Sequence, residues 1–559
     1  MWELPSTKQQ LQKLHHGDTA VGAGGGEHTL LSFNDDGRDL ADLPSAEPRV
    51  ISVENVFTVG DYLCYTQRTS RGHSEFAWHQ ITRPRGENRE DNPNRRLEIG
   101  PRHVITAAKL REVCDLDKEE YSAAWSAASA AVARNVHLRD NAVVEPLQEF
   151  PLPLHARAIE PTTPGSATVR LSLAPIAAAP VSFDLRLDSG ECTNADTPTG
   201  EGGRGQVAKR IERGNNVDDG NNEPVVCGRV WIRAPRNVPS QAAISGDNGH
   251  GTITGAGTLF VPVSIAFRPG LARLDGSSPA VVRVYGNYGL ENPLSNSAAD
   301  RSLLDRGVIV AHVHVRGGGE LGTFWHDEGR QFLKRNAVTD LHACLETLQG
   351  GPSAPTLNDG AGSDTEPVGI VARGRVALQA TSAGAVVAAA VVNAAPALVR
   401  AVVLEAPFLD LLNSMLDPDI PLVVGERGEW CDPLESQECY FYLKSYCPYY
   451  NLQQGLTPPR ILEAAHEESS GPFPDIFVKA FVNDARVMFW DPIKYVNVLR
   501  SATTGTNVSP NTVDGRGDDP AILLRMRRTA DGGHAENHNF AEDTAERALL
   551  LAFILSRIA

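Results

Sequence analysis

Residues Val376–Gly384 read V-A-L-Q-A-T-S-A-G. A short apolar run, Val376–Leu378, gives way to small residues, then Ser382, then a long run of small apolar residues from Ala383. This predicts a strand, a sharp turn carrying a serine, and a helix: the layout of a nucleophile elbow. Such a turn lifts the hydroxyl clear of a sheet. It also points the first amides of the helix at the place where a tetrahedral oxyanion forms. The common G-x-S-x-G pattern reads A-x-S-x-G here, with Ala380 in the first glycine position.

Around this stretch the chain alternates strand-like and helix-like segments. Ala280–Tyr285, Val308–Val315, Val376–Leu378, Ala401–Leu404, Ile476–Phe481 and Ala521–Met526 read as strands. Val338–Leu348 places Val338, Leu341, Cys344, Leu345 and Leu348 on one helical face, and Ala545–Ile558 reads as a closing helix. Near-continuous apolar strands between helices predict a buried parallel sheet.

Upstream the grammar differs. Val50–Val53, Asp61–Gln67, Phe76–Ile81, Ala167–Leu173 and Ser182–Leu187 are short β-type runs between turn residues, as in a meander or propeller blades. In Leu259–Phe267, Val261, Val263, Ile265 and Phe267 alternate with Pro262, Ser264 and Ala266, which predicts a half-buried strand. Tyr121–Arg134 reads equally as helix or strand. The polar, glycine-rich stretches 193–224 (with Gly214–Asn222) and 238–257 read as disordered insertions. Three segments are therefore expected: a poorly ordered 1–48, an all-β 49–274 with disordered insertions, and an α/β domain over 275–559.

With 559 residues and 41% hydrophobic composition, the chain can bury more than one core. Its formal charge of −17 argues against binding nucleic acid, and it suits a cationic substrate if acids line a cleft. The eight cysteines are scattered without C-x-x-C, so a disulfide framework is not expected and a reducing, cytoplasmic setting is. No metal-binding spacing and no cofactor motif occur. Met1–His16 lacks the apolar core of a secretory signal. Gly384–Val399, broken by Asn393 and Pro396, reads as a buried crossover helix rather than a membrane span.

A serine hydrolase with this elbow carries its acid and histidine after later strands, in the chain order Ser, Asp, His. Ile476–Phe481 runs into Asp484, and Ala521–Met526 leads to His534. Both lie beyond carboxyl ends of strands, where open α/β sheets place their sites. Serine needs a neutral imidazole to take its proton, and the imidazole needs a carboxylate to fix its tautomer.

Several motifs extend the pattern. They are R-G-G-G-E-L-G-T-F-W-H-D-E-G at 316–329, A-P-F-L-D at 406–410, N-S-M-L-D at 413–417 and E-W-C-D-P at 429–433. Y-C-P-Y-Y-N at 446–451, N-D-A-R-V-M-F-W-D-P-I-K-Y at 483–495 and G-G-H at 532–534 follow. Together they resemble the prolyl oligopeptidase family, and within it the oligopeptidase B branch. The resemblance implies an α/β-hydrolase domain with a mostly parallel, doubly wound sheet, joined to a seven-bladed β-propeller. Residues 49–270 resemble only the last blades of that propeller, so it is incomplete here.

By resemblance, Ser382 is the nucleophile, Asp484 the orienting acid and His534 the base. The amide of Ala383 is one oxyanion donor. The second donor is a side chain from Tyr285–Gly289, either Asn287 or Tyr288 according to the alignment. Arg486 holds a substrate carbonyl, and Glu426 meets a basic side chain at the substrate position before the cut (P1). Gly428 stands where the branch has a second acid, and Ala380 and Ala385 stand where the family favours glycine.

The implied activity is a serine-type endopeptidase acting on short peptides, after basic residues, through an acyl-enzyme on Ser382. It implies no cofactor, no metal, no nucleic acid and no membrane. The competing readings are an esterase or acyl hydrolase on the same fold, and an impaired pseudoenzyme that binds peptides.

Overall fold

The computed structural model describes residues 50–59, 61–69, 74–82, 98–105, 142–145, 154–159, 167–173, 181–194, 225–239, 252–292, 297–350, 369–421, 423–453, 472–503, 520–528, 534 and 540–559. The expected disorder at 1–48, the ambiguous Tyr121–Arg134 and the insertion Gly214–Asn222 lie outside these residues.

Two four-stranded antiparallel sheets come first. One orders β1 (Val50–Val59), β2 (Tyr62–Thr69), β3 (Ser74–Thr82) and β4 (Glu98–Ile105) as a simple meander. β5 (Ala142–Glu145) leaves for another sheet, and β6 (Leu154–Ile159), β7 (Thr168–Leu173), β8 (Val181–Arg186) and β9 (Cys192–Asn194) form the second meander. Period-two alternation gives each sheet an apolar face. Cys64, Phe76 and Trp78 from the first pack with Val169, Leu171, Phe183 and Leu185 from the second. The Trp78 indole donates to the Leu187 carbonyl at 3.0 Å, which satisfies its polar edge inside that core.

The opposite face of the second meander is polar. Arg170 donates two hydrogen bonds to Asp184, at 2.7 and 2.8 Å, and Ser172 bonds Ser182 across the strands.

The remaining strands build one nine-stranded sheet. They are β10 (Val226–Pro239), β11 (Thr252–Phe267), β12 (Ala280–Val284), β13 (Ile309–Val313), β14 (Val376–Thr381), β15 (Ala401–Glu405), β16 (Asp475–Phe481) and β17 (Ile522–Arg527), with β5 at one edge. Their order is β17-β16-β15-β14-β12-β13-β11-β10-β5. The run from β13 to β17 is parallel, whereas β11, β10 and β5 add antiparallel pairings.

Three expectations change here. The sheet crosses the boundary expected at residue 275, because β10 and β11 pair with each other and β11 pairs with β13. The stretch 238–257, expected as a disordered insertion, contributes the end of β10 and the start of β11. In addition, β11 is buried on both faces over Val261–Phe267, not half-buried as its alternation suggests. Ser264 tolerates this because its hydroxyl bonds His314 at 2.7 Å.

Helices cover both faces of the sheet. In chain order they are α1 (Ala298–Leu304), α2 (Thr323–Asp327), α3 (Arg335–Leu348), α4 (Gly384–Ala394), α5 (Leu411–Met415), α6 (Val423–Trp430), α7 (Gln437–Tyr446), α8 (Pro448–Gln453), α9 (Trp490–Thr503) and α10 (Phe540–Ile558). The helices α3 and α4 share a core with Val282, Val284, Leu378 and Leu404 on one face. The helices α1 and α10 pack on Val281, Ala377 and Val403 on the other. Each parallel strand thus sends alternate residues into two cores, which is why its whole run is apolar. Of the described helices, none is long and apolar enough to cross a membrane.

A disulfide joins Cys431, just past α6, to Cys439 in α7. No disulfide framework is expected from the sequence, and this pairing is a single bridge that the reading of a reducing setting does not anticipate. The pairing exists because α6 ends where α7 turns back, a tertiary fact that spacing alone does not carry.

Candidate active site

Strand β14 delivers Ser382 to the carboxyl end of the parallel sheet. Ser382 has φ of 54°, in the left-handed region that costs energy for a residue with a side chain. Backbone hydrogen bonds to neighbouring segments hold it there. Its N–H donates to the Glu405 carbonyl at 2.9 Å, and its carbonyl accepts from Phe408 N–H at 3.1 Å. The tight position is Gly384: a Cβ there would stand 3.0 Å from the Val284 carbonyl oxygen and 3.1 Å from Tyr285 Cα. Ala380 and Ala385, which stand where glycine is favoured, keep buried methyls without displacing the serine from its partners.

The three residues expected from chain order come together. The Ser382 hydroxyl lies 2.8 Å from His534 Nε2, and His534 Nδ1 lies 2.7 Å from Asp484 Oδ2. A carboxylate only accepts, so Nδ1 carries the proton and Nε2 is free to take one from Ser382. The other oxygen of Asp484 accepts the amides of Arg486 and Val487, at 2.8 and 3.0 Å. The acid is therefore fixed by its own loop, beyond the end of β16. Ala383 caps α4, and its amide has no intrahelical acceptor, as for every first-turn amide.

Neither side chain expected as second oxyanion donor is available. Asn287 is 0% exposed. Its amide donates to the Tyr285 carbonyl at 2.5 Å, and its oxygen accepts Lys334 Nζ at 2.7 Å. Tyr288 donates its hydroxyl to Glu426 Oε2 at 2.5 Å. Both are corrected here, since each group is already committed inside the protein. The residue the sequence reading passed over is Tyr285. Val284 pairs in register with Ala380, and the Cα of Tyr285, the next residue, lies 3.1 Å from where a Cβ on Gly384 would stand. Among the described residues its hydroxyl has no hydrogen-bond partner. Burial first, then Glu426 and Glu429, push its pKa up to about 12, so the phenol stays a donor at neutral pH.

Glu426 stands half-buried on α6, one turn before Trp430. Its Oε2 accepts Tyr288 and also the Trp430 indole N–H, at 3.0 Å. Glu429, unremarked in sequence, is the more constrained acid. It accepts Lys334 Nζ at 2.6 Å, the Tyr288 amide at 3.1 Å and His326 Nε2 at 2.7 Å. Burial raises its pKa, but Lys334 and the His326 hydrogen bond outweigh that and hold it at about 2. Lys334 is pulled below its usual value by burial, an effect that Glu429 opposes. Arg486 is exposed, and its charge acts on Tyr285.

A cavity of about 310 Å³ opens beside the elbow, lined by Arg283, Tyr285, Leu290, Asn292, Gln379 and Thr381 among others. Among the described residues no cluster of His, Cys, Asp and Glu could hold a metal ion.

Residues 295–352 and 366–517 match the prolyl oligopeptidase family model. That match falls within the α/β part of the chain, which is similar to this family. The chain is 36% identical over 281 residues to the prolyl endopeptidase-like protein of Gallus gallus, covering 49% of this chain and 32% of the relative. It is 32% identical over 302 residues to dipeptidyl aminopeptidase BI of Pseudoxanthomonas mexicana, covering 54% of this chain and 35% of that one. Among solved structures, oligopeptidase B from Trypanosoma brucei with covalently bound antipain is 19% identical with a TM-score of 0.58. That match covers 91% of this chain and 52% of the other. Oligopeptidase B from Leishmania major gives a TM-score of 0.56 at 21% identity, over 91% of this chain and 52% of its own. These likenesses show the fold. The chain spans about half the length of those structures, and its matches span about a third of the curated relatives.

Proposed function

We propose that this chain is a serine-type peptidase of the oligopeptidase kind, cleaving short peptides after basic residues. The observation that carries the reading is the hydrogen-bonded run Asp484–His534–Ser382, set on an elbow with a strained serine. His534 Nε2 takes the hydroxyl proton as Ser382 Oγ attacks the scissile carbonyl carbon. The carbonyl oxygen becomes an oxyanion facing the Ala383 amide and the Tyr285 hydroxyl. Collapse breaks the C–N bond, and His534 hands its proton to the leaving amine. Water then repeats the sequence on the ester and regenerates Ser382. Asp484 stays ionised and holds the imidazolium in place.

Arg486 is the proposed donor to a substrate carbonyl. Glu426 is the proposed partner of a basic P1 side chain, against walls made by Tyr288 and Trp430. Support for Glu426 over Glu429 comes from saturation: Glu429 has both oxygens engaged internally, whereas Oε1 of Glu426 has no partner among the described residues. The two stacked meanders are proposed as propeller blades at one side of the site.

A fluorophosphonate probe tests the chemistry. The wild-type chain is expected to label at Ser382, with labelling lost in Ser382→Ala and reduced by roughly 10³-fold or more in His534→Gln. Equal labelling of folded Ser382→Ala would overturn the assignment. In peptide assays, Glu426→Gln is expected to lower the preference for Lys or Arg at P1 by about tenfold. An unchanged preference would remove Glu426 from the pocket.

A further inference from the structure

One buried acid near the site has no place in the reaction above, and the inference drawn from it rests on the peptidase reading. Asp491, the second residue of α9, is 1% exposed. It follows the loop that carries Asp484 and Arg486, and its own N–H donates to the Met488 carbonyl at 3.0 Å. Its carboxyl reaches across to the segment after β15. Oδ1 accepts the Asp410 amide at 2.9 Å and the Leu409 amide at 3.2 Å, and Oδ2 shares the Leu409 amide at 3.2 Å. The residue before Leu409 is Phe408, whose N–H holds the Ser382 carbonyl at 3.1 Å. The segment begins at Ala406 with φ of 44°, a left-handed conformation that costs an alanine energy and persists only where outside ties hold it. One carboxyl therefore joins the loop of the catalytic acid to the turn of the nucleophile.

We propose that Asp491 is a positioning residue: as an uncharged hydrogen-bond acceptor it fixes the 406–410 segment, and through the Phe408 amide it fixes the turn that carries Ser382. The uncharged state follows from the groups around it. Asp410 is 2% exposed in the same buried place, and Lys494, three residues along α9, already pairs with it. Asn413 donates to the other Asp410 oxygen at 2.7 Å. From the far side the segment meets the Cys447 thiol and the Tyr449 amide, both on the Leu409 carbonyl, and neither brings a positive charge. Burial pushes that thiol up to about 12, so it stays protonated. The two buried carboxyls thus share the Lys494 ammonium. Burial first, and then the Asp410 charge, push Asp491 up to about 8, against the pull of the two amides and of Lys494. A carboxylic acid keeps Oδ1 as an acceptor for both amides, and asparagine offers the same oxygen in the same place. Ionised beside Asp410, the carboxyl is repelled from the segment it holds.

The test follows fluorophosphonate labelling of Ser382 in the full-length chain and separates the maximal rate of labelling from the apparent affinity of the probe. In Asp491→Ala both amides lose their acceptor, and the maximal rate is expected to fall about 10²-fold with the affinity changed by less than about threefold. Asp491→Asn keeps the acceptor and is expected to label within about threefold of the wild-type rate at pH 7. A pH series adds a readout that a merely structural acid would not move. The wild-type rate is expected to fall as pH rises past about 8, where Asp491 ionises, and the Asp491→Asn rate to show no such fall. Should Asp491→Ala fail to fold, Asp491→Asn and its pH series decide the matter. A folded Asp491→Ala that labels like the wild type overturns the positioning role. So does an Asp491→Asn slower than wild type by more than about tenfold at pH 7, or one with the wild-type alkaline profile. Those results leave the peptidase reading standing, whereas a wild-type chain that never labels at Ser382 overturns that reading and the proposal with it.

Discussion

The two small meanders and the nine-stranded sheet solve burial differently. In the β6–β9 meander one face is apolar and packs on its neighbour, while the other carries Arg170, Asp184, Ser172 and Ser182. In the large sheet, the strands β12–β16 send residues into cores on both sides. The first arrangement can end anywhere, because its outer face is compatible with water. The second cannot lose a covering helix without exposing a core. That difference explains why the polar, strained chemistry sits at the strand ends of the large sheet. There the surrounding structure holds Ser382 at positive φ and keeps Lys334 buried beside Glu429.

Mutations at matched depth should break the two regions differently. Glu429→Gln removes the anion from a buried pair, so it is expected to destabilise the large-sheet region by about 3–5 kcal/mol. The sign of its pH dependence follows from a folded pKa of about 2, below the ordinary 4.5. The pair's contribution is fully present above pH 4.5 and is lost as pH falls toward 2. It amounts to on the order of 3 kcal/mol. Thermal melts from pH 7 to pH 3 should show the wild-type chain losing stability on acidification more steeply than Glu429→Gln. Parallel slopes would mean that Glu429 is not held ionised by Lys334.

Phe183→Ala cuts into the core between the meanders and is expected to cost that unit about 3–4 kcal/mol. Limited proteolysis should then cut the N-terminal region sooner, with fluorophosphonate labelling of Ser382 reduced less than about threefold. A parallel loss of labelling would show that the two regions are mechanically coupled. Smallest of all, Arg170→Ala on the outer polar face is expected to change stability by less than about 1 kcal/mol, because the pair with Asp184 is partly exposed. A loss well above that would mean that the outer face is covered in the working protein.

Much of the large sheet is legible in the chain because its strands are continuous apolar runs. Ala280–Val284, Ile309–Val313, Val376–Thr381, Ala401–Glu405 and Asp475–Phe481 fall within two or three residues of the expected runs. The helices α6–α8 escape notice: Gly425, Gly428, Pro433 and Pro448 interrupt the segment, and its apolar residues keep no clear helical period. The helix α9 has the same difficulty, although Pro492 near its first turn is a helix-start signal. Alternation misplaces β11 for a different reason. Period two reports which residues share a face, but not whether the second face is covered. Thr168–Leu173 alternates and is open on one side, while Val261–Phe267 alternates and is closed on both.

The sequence by itself determined the order of Ser382, Asp484 and His534, each beyond the end of its own strand, because strand type and chain order are local properties. Tertiary structure alone decided the rest. Folding commits the Asn287 amide and the Tyr288 hydroxyl to partners inside the protein, and leaves the Tyr285 hydroxyl without a partner among the described residues. The packing of α6 against Lys334 divides two glutamates three residues apart into one buried brace and one half-open acceptor. Hydrogen-bonding groups are finite, and which of them remain unspent for a substrate depends on neighbours that the chain brings close only when it folds.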